Sequence, residues 1–166
     1  MLNKNNIYPV PGKVEWIGLR PDRESPQIEV QQIEAIVGKG LLGDRYSGKQ
    51  GKRDVTLIQK EHLETVGQLL GKTTVHPSQL RRNIVVSGMN LVSLKGRLIR
   101  IGSTHLQVTG PCAPCIKMER NLGPGGYNAM RGHGGITAKV VKSGMISVGD
   151  SLEVIESPKV SEHESH

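Results

Sequence analysis

The chain reads as a mainly β protein, a small barrel of short strands with one substantial helix, and three observations carry that prediction. Glycine and proline punctuate it densely, with 21 Gly and 9 Pro among 166 residues, which disfavours long uninterrupted elements. Aromatic residues make up only 2% of the chain and Phe is absent, leaving Val, Ile, Leu and Met to fill the interior. Only one stretch shows sustained helical spacing of its apolar residues. The length suits one domain of roughly 100–200 residues, able to bury about 70% of its unfolded surface without metal or disulfide support. That domain spans residues 1–155, and residues 156–166 have the composition of a frayed tail.

Residues 13–19 and 28–37 read as strands split by a turn rich in Pro21, Asp22, Ser25 and Pro26, a hairpin-like opening. Residues 38–53 form a glycine-rich loop. Residues 54–58 resume with the Val55 and Leu57 alternation of a half-buried strand. Over residues 59–70, Leu63, Val66, Leu69 and Leu70 recur at three- and four-residue spacing, and Gly71 offers the stop. Glu61, His62 and Glu64 form the solvated face of that helix. Short strands follow at 83–86, 97–101, 105–109, 136–141 and 151–155, nearly all separated by Gly or Pro. Such closely spaced runs suit a barrel better than alternating βαβ units.

No apolar run approaches the ~20 residues of a membrane span, and residues 1–6 are polar, unlike a secretory signal, so the expectation is a soluble cytoplasmic protein with no membrane partner. The net charge of +7 is unevenly spread: residues 81–150 hold ten Lys and Arg against Glu119 and Asp150. That surplus favours an anionic partner, set against the plain alternative of a solvated surface. Nucleic acid is disfavoured, because one Trp and three Tyr, scattered through the chain, supply no stacking platform.

Three glycine patterns imitate phosphate loops. Gly38, Gly40 and Gly43 have dinucleotide-binding spacing, but the polar, glycine-broken stretch after them offers no helix N-terminus for a pyrophosphate. Gly43, Gly48 and Lys49 are followed by Gln50 where a P-loop needs a hydroxyl for magnesium. Gly67, Gly71, Lys72 and Thr73 are one residue short. A loop that positions Asp44 and Arg45, and a helix stop, account for them.

The strongest chemical signal is Cys112-Ala113-Pro114-Cys115 after a strand. A CxxC pair has four readings: half a zinc site, a dithiol redox pair, an activated nucleophile with a helper thiol, or an inert turn. Zinc needs two further ligands, and the six histidines form no paired ligand motif. A thioredoxin-like role needs a βαβ setting that the strand pattern does not offer. An activated thiol fits best, because Lys117 and Arg120 lie close in sequence and cations favour thiolate. Glycine is so dense over residues 123–135 that this segment supplies a tight backbone path or amides aimed at an anion instead of core packing, a plain flexible loop being the alternative. Arg131 and His133 are its side chains best able to touch a bound group.

These motifs, with Gly40-Leu41-Leu42-Gly43-Asp44-Arg45, residues 82–88 and residues 144–150, occur in the order seen in the MOSC family, named for the C-terminal domain of molybdenum cofactor sulfurases. The chain resembles a small stand-alone member over residues 13–154. The resemblance implies a MOSC-type β-barrel with one main helix and short peripheral helices. It further implies a cysteine that carries sulfur as a persulfide or ligates molybdenum, and basic residues that hold the phosphate of the pterin cofactor. The family's Pro-Cys falls on Pro114-Cys115, making Cys115 the first candidate for catalysis and for metal ligation; Cys112 is an additional thiol. Asp44, Arg45, Arg82, Asn83, Lys117, Tyr127, Asn128, Arg131 and His133 make the candidate cofactor-binding set. The pyridoxal-phosphate sulfurtransferase module of larger relatives is missing from this chain, so a sulfurtransferase or reductase partner is implied.

Two enzymatic readings and one non-enzymatic reading follow. In the first, Cys115 accepts sulfane sulfur and passes it on, Cys112 resolving the persulfide. In the second, Cys115 ligates molybdenum and the protein reduces N-hydroxylated compounds with a partner's electrons. In the third, the basic half docks a cofactor or a sulfurtransferase without chemistry of its own.

Overall fold

The computed structural model describes residues 4–45 and 53–155. The expected tail at 156–166 therefore lies outside the described residues, as do the P-loop-like Gly48, Lys49 and Gln50. Strands β1 (Gly12–Leu19), β2 (Ile28–Val30), β3 (Gln32–Ile36), β4 (Gly40–Leu41), β5 (Val55–Gln59) and β6 (Ile84–Ser87) make up the first half. Strands β7 (Leu98–Ile101), β8 (Thr104–Pro111), β9 (Ile136–Lys142), β10 (Gly144–Ser147) and β11 (Ser151–Ile155) make up the second. The four α-helices are α1 (Lys60–Leu69), α2 (Pro77–Leu80), α3 (Ile116–Leu122) and α4 (Gly126–Met130).

Seven strands close a barrel in the order β1, β6, β5, β9, β8, β7, β11, with β11 returning to β1 through Gly12 opposite Leu152. Closure removes the edge problem that an open sheet of short strands would face. Every neighbouring pair is antiparallel except β5 and β6, which run parallel because α1 and α2 provide the crossover. β2 extends β1 as the hairpin-like opening predicted, and β10, β3 and β4 form a small second sheet.

Two apolar clusters hold this arrangement. Val14, Ile17, Val55, Leu57, Ile84, Ile99, Leu106, Ala138, Val140 and Leu152 fill the barrel. Ile58 and Val85, on the opposite face of β5 and β6, pack with Leu63, Val66, Leu80, Met118, Leu122 and Met130 beneath the helices. Each fully buried Leu, Ile or Val contributes about 1.5–3 kcal/mol relative to exposure.

Several local expectations are corrected. β5 is buried on both faces, not one, because the helices cover its outer side. The run at 28–37 breaks between β2 and β3, which belong to different sheets, and Gln31 turns its carbonyl to the Val148 amide instead. Leu69 is exposed, with Val66 and Gly67 taking the inward positions of α1. Segment 123–135 does supply packing: it contains α4, whose Ala129 and Met130 are buried. The reason is Glu119, whose carboxylate accepts the Gly125 and Tyr127 amides at the start of α4. Those amides hold the Glu119 carboxyl below its ordinary value.

The fold assembles the site through one row of register. Ile17, Ile84, Leu57, Ile136 and Pro111 stand side by side across β1, β6, β5, β9 and β8. Arg20, Asn83, Arg82, Gly134, Gly135 and Cys112 flank that row. Gly135 has φ 87°, and a Cβ there would lie 1.9 Å from the Leu57 carbonyl oxygen, so glycine alone lets β9 begin against β5.

Gly135→Ala is expected to lower unfolding stability by about 3 kcal/mol or more, left-handed strain accounting for ~1–3 kcal/mol and the backbone clash for the rest. Urea denaturation measures this, and a loss below about 1 kcal/mol would contradict the close approach.

Candidate functional site

The site is built outward from a buried ion pair. Arg20, directly after β1, directs Nη2 to Asp44 Oδ2 at 2.8 Å and Nε to Asp44 Oδ1 at 3.0 Å, while its own amide also donates to Oδ1. Asn83, directly before β6, joins both: its Oδ1 accepts from Arg20 Nη2, and its Nδ2 donates to Asp44 Oδ1 and the Gly18 carbonyl. The Thr56 amide and hydroxyl also donate to Asn83 Oδ1, and the Asn83 amide donates back to Thr56 Oγ1. All three members of the network are buried, and these contacts stitch β1, β5, β6 and the Asp44 loop together. Asp44 and Asn83, both candidates for cofactor binding, thus face inward as framework.

Arg82 is the next residue back from Asn83 and is only 6% exposed. Its Nε donates to the Gly134 carbonyl at 2.8 Å and its Nη1 to the Leu80 carbonyl at 2.9 Å. Its Nη2 is buried without a hydrogen-bond partner among the described residues. A Cβ on Gly134 would lie 3.2 Å from that nitrogen and 2.3 Å from the Cys112 carbonyl oxygen, so glycine also permits the approach of these three segments. Burial pushes the Arg82 guanidinium below its ordinary value; Cys112 and then Cys115 act in the opposite direction, and Arg20 and Arg53 add to the lowering.

The cysteines occupy unlike environments. Cys112 is 4% exposed, and its sulfur lies 3.9 Å from Arg53 Nη2, which donates to it. Cys115 is exposed and stands immediately before α3, its carbonyl accepting the Met118 amide. Both are free thiols. The pair sits between β8 and a helix start, closer to a strand-to-helix setting than the sequence suggested, but β8 and β9 are antiparallel and no βαβ unit surrounds it.

Further arginines extend the positive field. Arg81 adopts the left-handed conformation (φ 58°), directing its guanidinium to the carbonyls of Ser25 and Asp22. Burial, followed by Arg20 and Arg45, lowers its ordinary value. Arg45 is half-buried and its amide donates to the Arg20 carbonyl at 2.7 Å. Asp44, Asn83 and Arg45 thus gather around Arg20, and Arg82 lies within electrostatic reach of both cysteines. Lys117, named as a cation near the thiol, instead directs Nζ to the Arg23 carbonyl at 2.9 Å. Tyr127, Asn128 and Arg131 are exposed on or just after α4.

Sequence reasoning missed Arg20, Arg53 and Arg81. Their available signal was position: each is an arginine just outside a strand, where barrel closure gathers residues distant along the chain. A cavity of about 630 Å³ bounded by residues such as Tyr8, Arg97, Gln107 and Glu153 contains neither cysteine.

His133 and His62 form a second feature. His133 Nδ1 is 3.0 Å from the Ala129 carbonyl, and its ring meets that of His62 edge-on at 4.9 Å. His62 is therefore half-buried, not solvated as the polar face of α1 suggested. Burial, then His133, push His62 below the ordinary imidazole value, with Glu61 opposing. The unfolded chain takes up this proton near pH 6.5, before the folded protein does. Stability from neutral His62 is accordingly present above that pH and lost as pH falls below it. His62→Gln is expected to lose less stability than the wild type between about pH 8 and about pH 5; identical pH slopes in urea titrations would contradict the assignment.

The family model for the MOSC domain matches residues 39–153. No curated protein matches the chain by sequence. Among solved structures, the chain is similar to the YuaD protein from Bacillus subtilis, with a TM-score of 0.77 and 23% identity, covering 87% of this chain and 96% of that one. YiiM from Geobacillus stearothermophilus gives a TM-score of 0.71 at 19% identity, covering 88% and 76%. YiiM from Escherichia coli gives 0.65 at 20%, covering 87% and 70%. These likenesses concern the fold, a closed β-barrel with peripheral helices. No helix among the described residues is long and apolar enough to cross a membrane. The family match takes in more than half of the chain, including Arg82, Asn83 and both cysteines, and the chain belongs to the MOSC domain family.

Proposed function

We propose that this MOSC-family protein carries sulfur as a persulfide on Cys115, in association with the molybdenum cofactor. The observation that carries the reading is an exposed thiol within electrostatic reach of a buried arginine whose Nη2 has no hydrogen-bond partner among the described residues. A buried unsatisfied donor costs about 1–3 kcal/mol, more when charged, and such a cost is retained where an anion is to be received. A persulfide anion, a thiolate or a phosphate oxygen meets that need through a charge-assisted hydrogen bond.

In the loading step the Cys115 thiolate attacks the outer sulfur of a donor persulfide. A new S–S bond forms on Cys115, the donor's S–S bond breaks, and its electron pair leaves with the donor thiolate. A persulfide is a reversible cap and so suits carriage. Release in the absence of another acceptor uses Cys112: its thiolate attacks the inner sulfur and expels hydrosulfide. The resulting Cys112–Cys115 disulfide is reduced by a dithiol, which supplies the two electrons. Arg53 beside Cys112 Sγ offsets the negative charge on the attacking sulfur.

The MOSC family is linked to the molybdenum cofactor, and the donor set here fits a phosphate-bearing group with a soft metal. Arg82 Nη2, with Arg45 and Arg53, would hold its phosphate, and Cys115 offers a soft ligand. Among the described residues no three His, Cys, Asp or Glu side chains gather as a metal cage, so the other metal ligands would come with the cofactor. When bound, that group supplies a centre that accepts sulfur or exchanges electrons.

Treatment with a persulfide donor is expected to add about 32 Da to Cys112→Ser and nothing to Cys115→Ser, as read by intact mass, while the wild type passes through the same adduct to the Cys112–Cys115 disulfide. Hydrosulfide release should need Cys112, and release beyond one equivalent should need a dithiol reductant. Absence of the adduct on Cys112→Ser defeats the carrier reading. Stoichiometric molybdenum, lost in Cys115→Ser, in protein from a cofactor-competent host would favour the metal-ligating reductase component instead.

A further inference from the structure

Beyond the thiol, helix α3 leads from Cys115 into a shallow depression of about 290 Å³. Arg23, Arg81, Lys117 and Arg120 contribute four cations to its lining, against the single carboxylate of Glu24. Two of these cations are positioned by backbone carbonyls: Lys117 Nζ donates to Arg23, and the Arg81 guanidinium to Asp22 and Ser25. The Arg23 and Arg120 side chains pair with no carboxylate among the described residues. Arg53 stands beside Cys112, whereas Lys117 and Arg120 lie farther along α3, joined by Arg23 from the β1–β2 connection and Arg81 from the end of α2.

The spacing suits a ligand that spans both. At about 1.5 Å rise per residue, Arg120 lies roughly 7–8 Å along the helix axis from Cys115. An extended tripeptide reaches ~10 Å. A small acidic thiol of that size can set its carboxylates among Arg23, Lys117 and Arg120 while its sulfur lies at Cys115. A volume of about 290 Å³ suits such a molecule and is small for a protein interface, which needs on the order of 800 Å² from each partner.

We infer that this depression is the recognition site for the sulfur donor, and that the donor is a low-molecular-weight thiol persulfide bearing at least two carboxylates. The inference rests on the sulfur-carrier reading and adds the donor's chemical class. Loading follows the balance given above: the donor's S–S bond breaks, the Cys115–sulfur bond forms, and the donor departs as its thiolate with no net redox change. Binding energy from the carboxylates raises the effective concentration of the reacting sulfur at Cys115.

The test compares the rates of Cys115 loading by glutathione persulfide and by the uncharged persulfide of 2-mercaptoethanol, followed by intact mass as the sum of the adduct and the Cys112–Cys115 disulfide. The wild type should load faster from glutathione persulfide, with an advantage that shrinks as salt is added. Arg23→Glu should slow the glutathione reaction about tenfold, through a higher KM, and change the uncharged reaction less than about twofold, and Arg120→Glu should slow the glutathione reaction by a larger factor than the uncharged one. Arg120→Lys should restore most of the rate, since charge is the recognised property. Equal rates from the two donors, or equal slowing of both by charge reversal, overturns the inference while leaving the carrier reading standing. Loading only by a persulfide-charged cysteine desulfurase also overturns it, and assigns the cations to a protein partner. Failure of Cys115 to load from any of the three defeats the carrier reading and this inference together.

Discussion

The Arg20–Asp44 ion pair, with Asn83 closing its polar circuit, is the contact on which the arrangement of the site depends. Taking two charges out of water costs several kcal/mol per ion, and their attraction offsets that only when the remaining donors and acceptors are also met. Here Asp44 receives two guanidinium bonds, the Arg20 amide and the Asn83 amide group, and Asn83 ties the pair to Thr56 on β5. Losing either charged partner would strand the other in the interior at about 3–5 kcal/mol. The network therefore specifies how the end of β1, the Asp44 loop and the starts of β5 and β6 meet. With Asn83 held inward, Arg82 is delivered on the next residue to the Cys112 and Gly134 segments.

Satisfaction stops at Arg82. Two of its nitrogens find carbonyls and the third does not, in a region that also holds Arg20 and Arg53. A charge buried among like charges is a stability cost, and the bonds to the Gly134 and Leu80 carbonyls offset only part of it. Stability and function are thus in tension at one atom, as is common where binding sites are pre-organised. The division between the cysteines follows. The buried Cys112 shares Arg53 and the interior, while the exposed Cys115, ahead of α3, meets solvent and whatever arrives from it.

Much of the fold was legible because period and punctuation are local. The alternation of β8 and the spacing of Leu63 and Val66 declare strand and helix directly, and the glycine and proline between strands mark the turns. What escaped was set by tertiary partners. Ile58 could not announce a second buried face for β5, because the helices that cover it come from four separate segments. The glycines of residues 123–135 concealed α4, whose start depends on Glu119 reaching its amides from the preceding helix. In the site, the CxxC pair and the Arg82-Asn83 pair stood out as motifs. Arg20, Arg53 and Arg81 did not, since only barrel closure reveals that they share one space, and Lys117 was a neighbour of the thiol in sequence whose amine turns to Arg23.

The central claim is a positive potential, centred on Arg82, at a reachable Cys115 sulfur. The most direct measurement is the ratio of alkylation rates at Cys115 by iodoacetate and iodoacetamide, which differ in charge, with peptide mapping to isolate that residue. The account predicts a ratio above that of glutathione's thiol at low salt, collapsing as salt is added and reduced in Arg82→Gln. A ratio equal to the free thiol's, indifferent to salt and to Arg82→Gln, would contradict it.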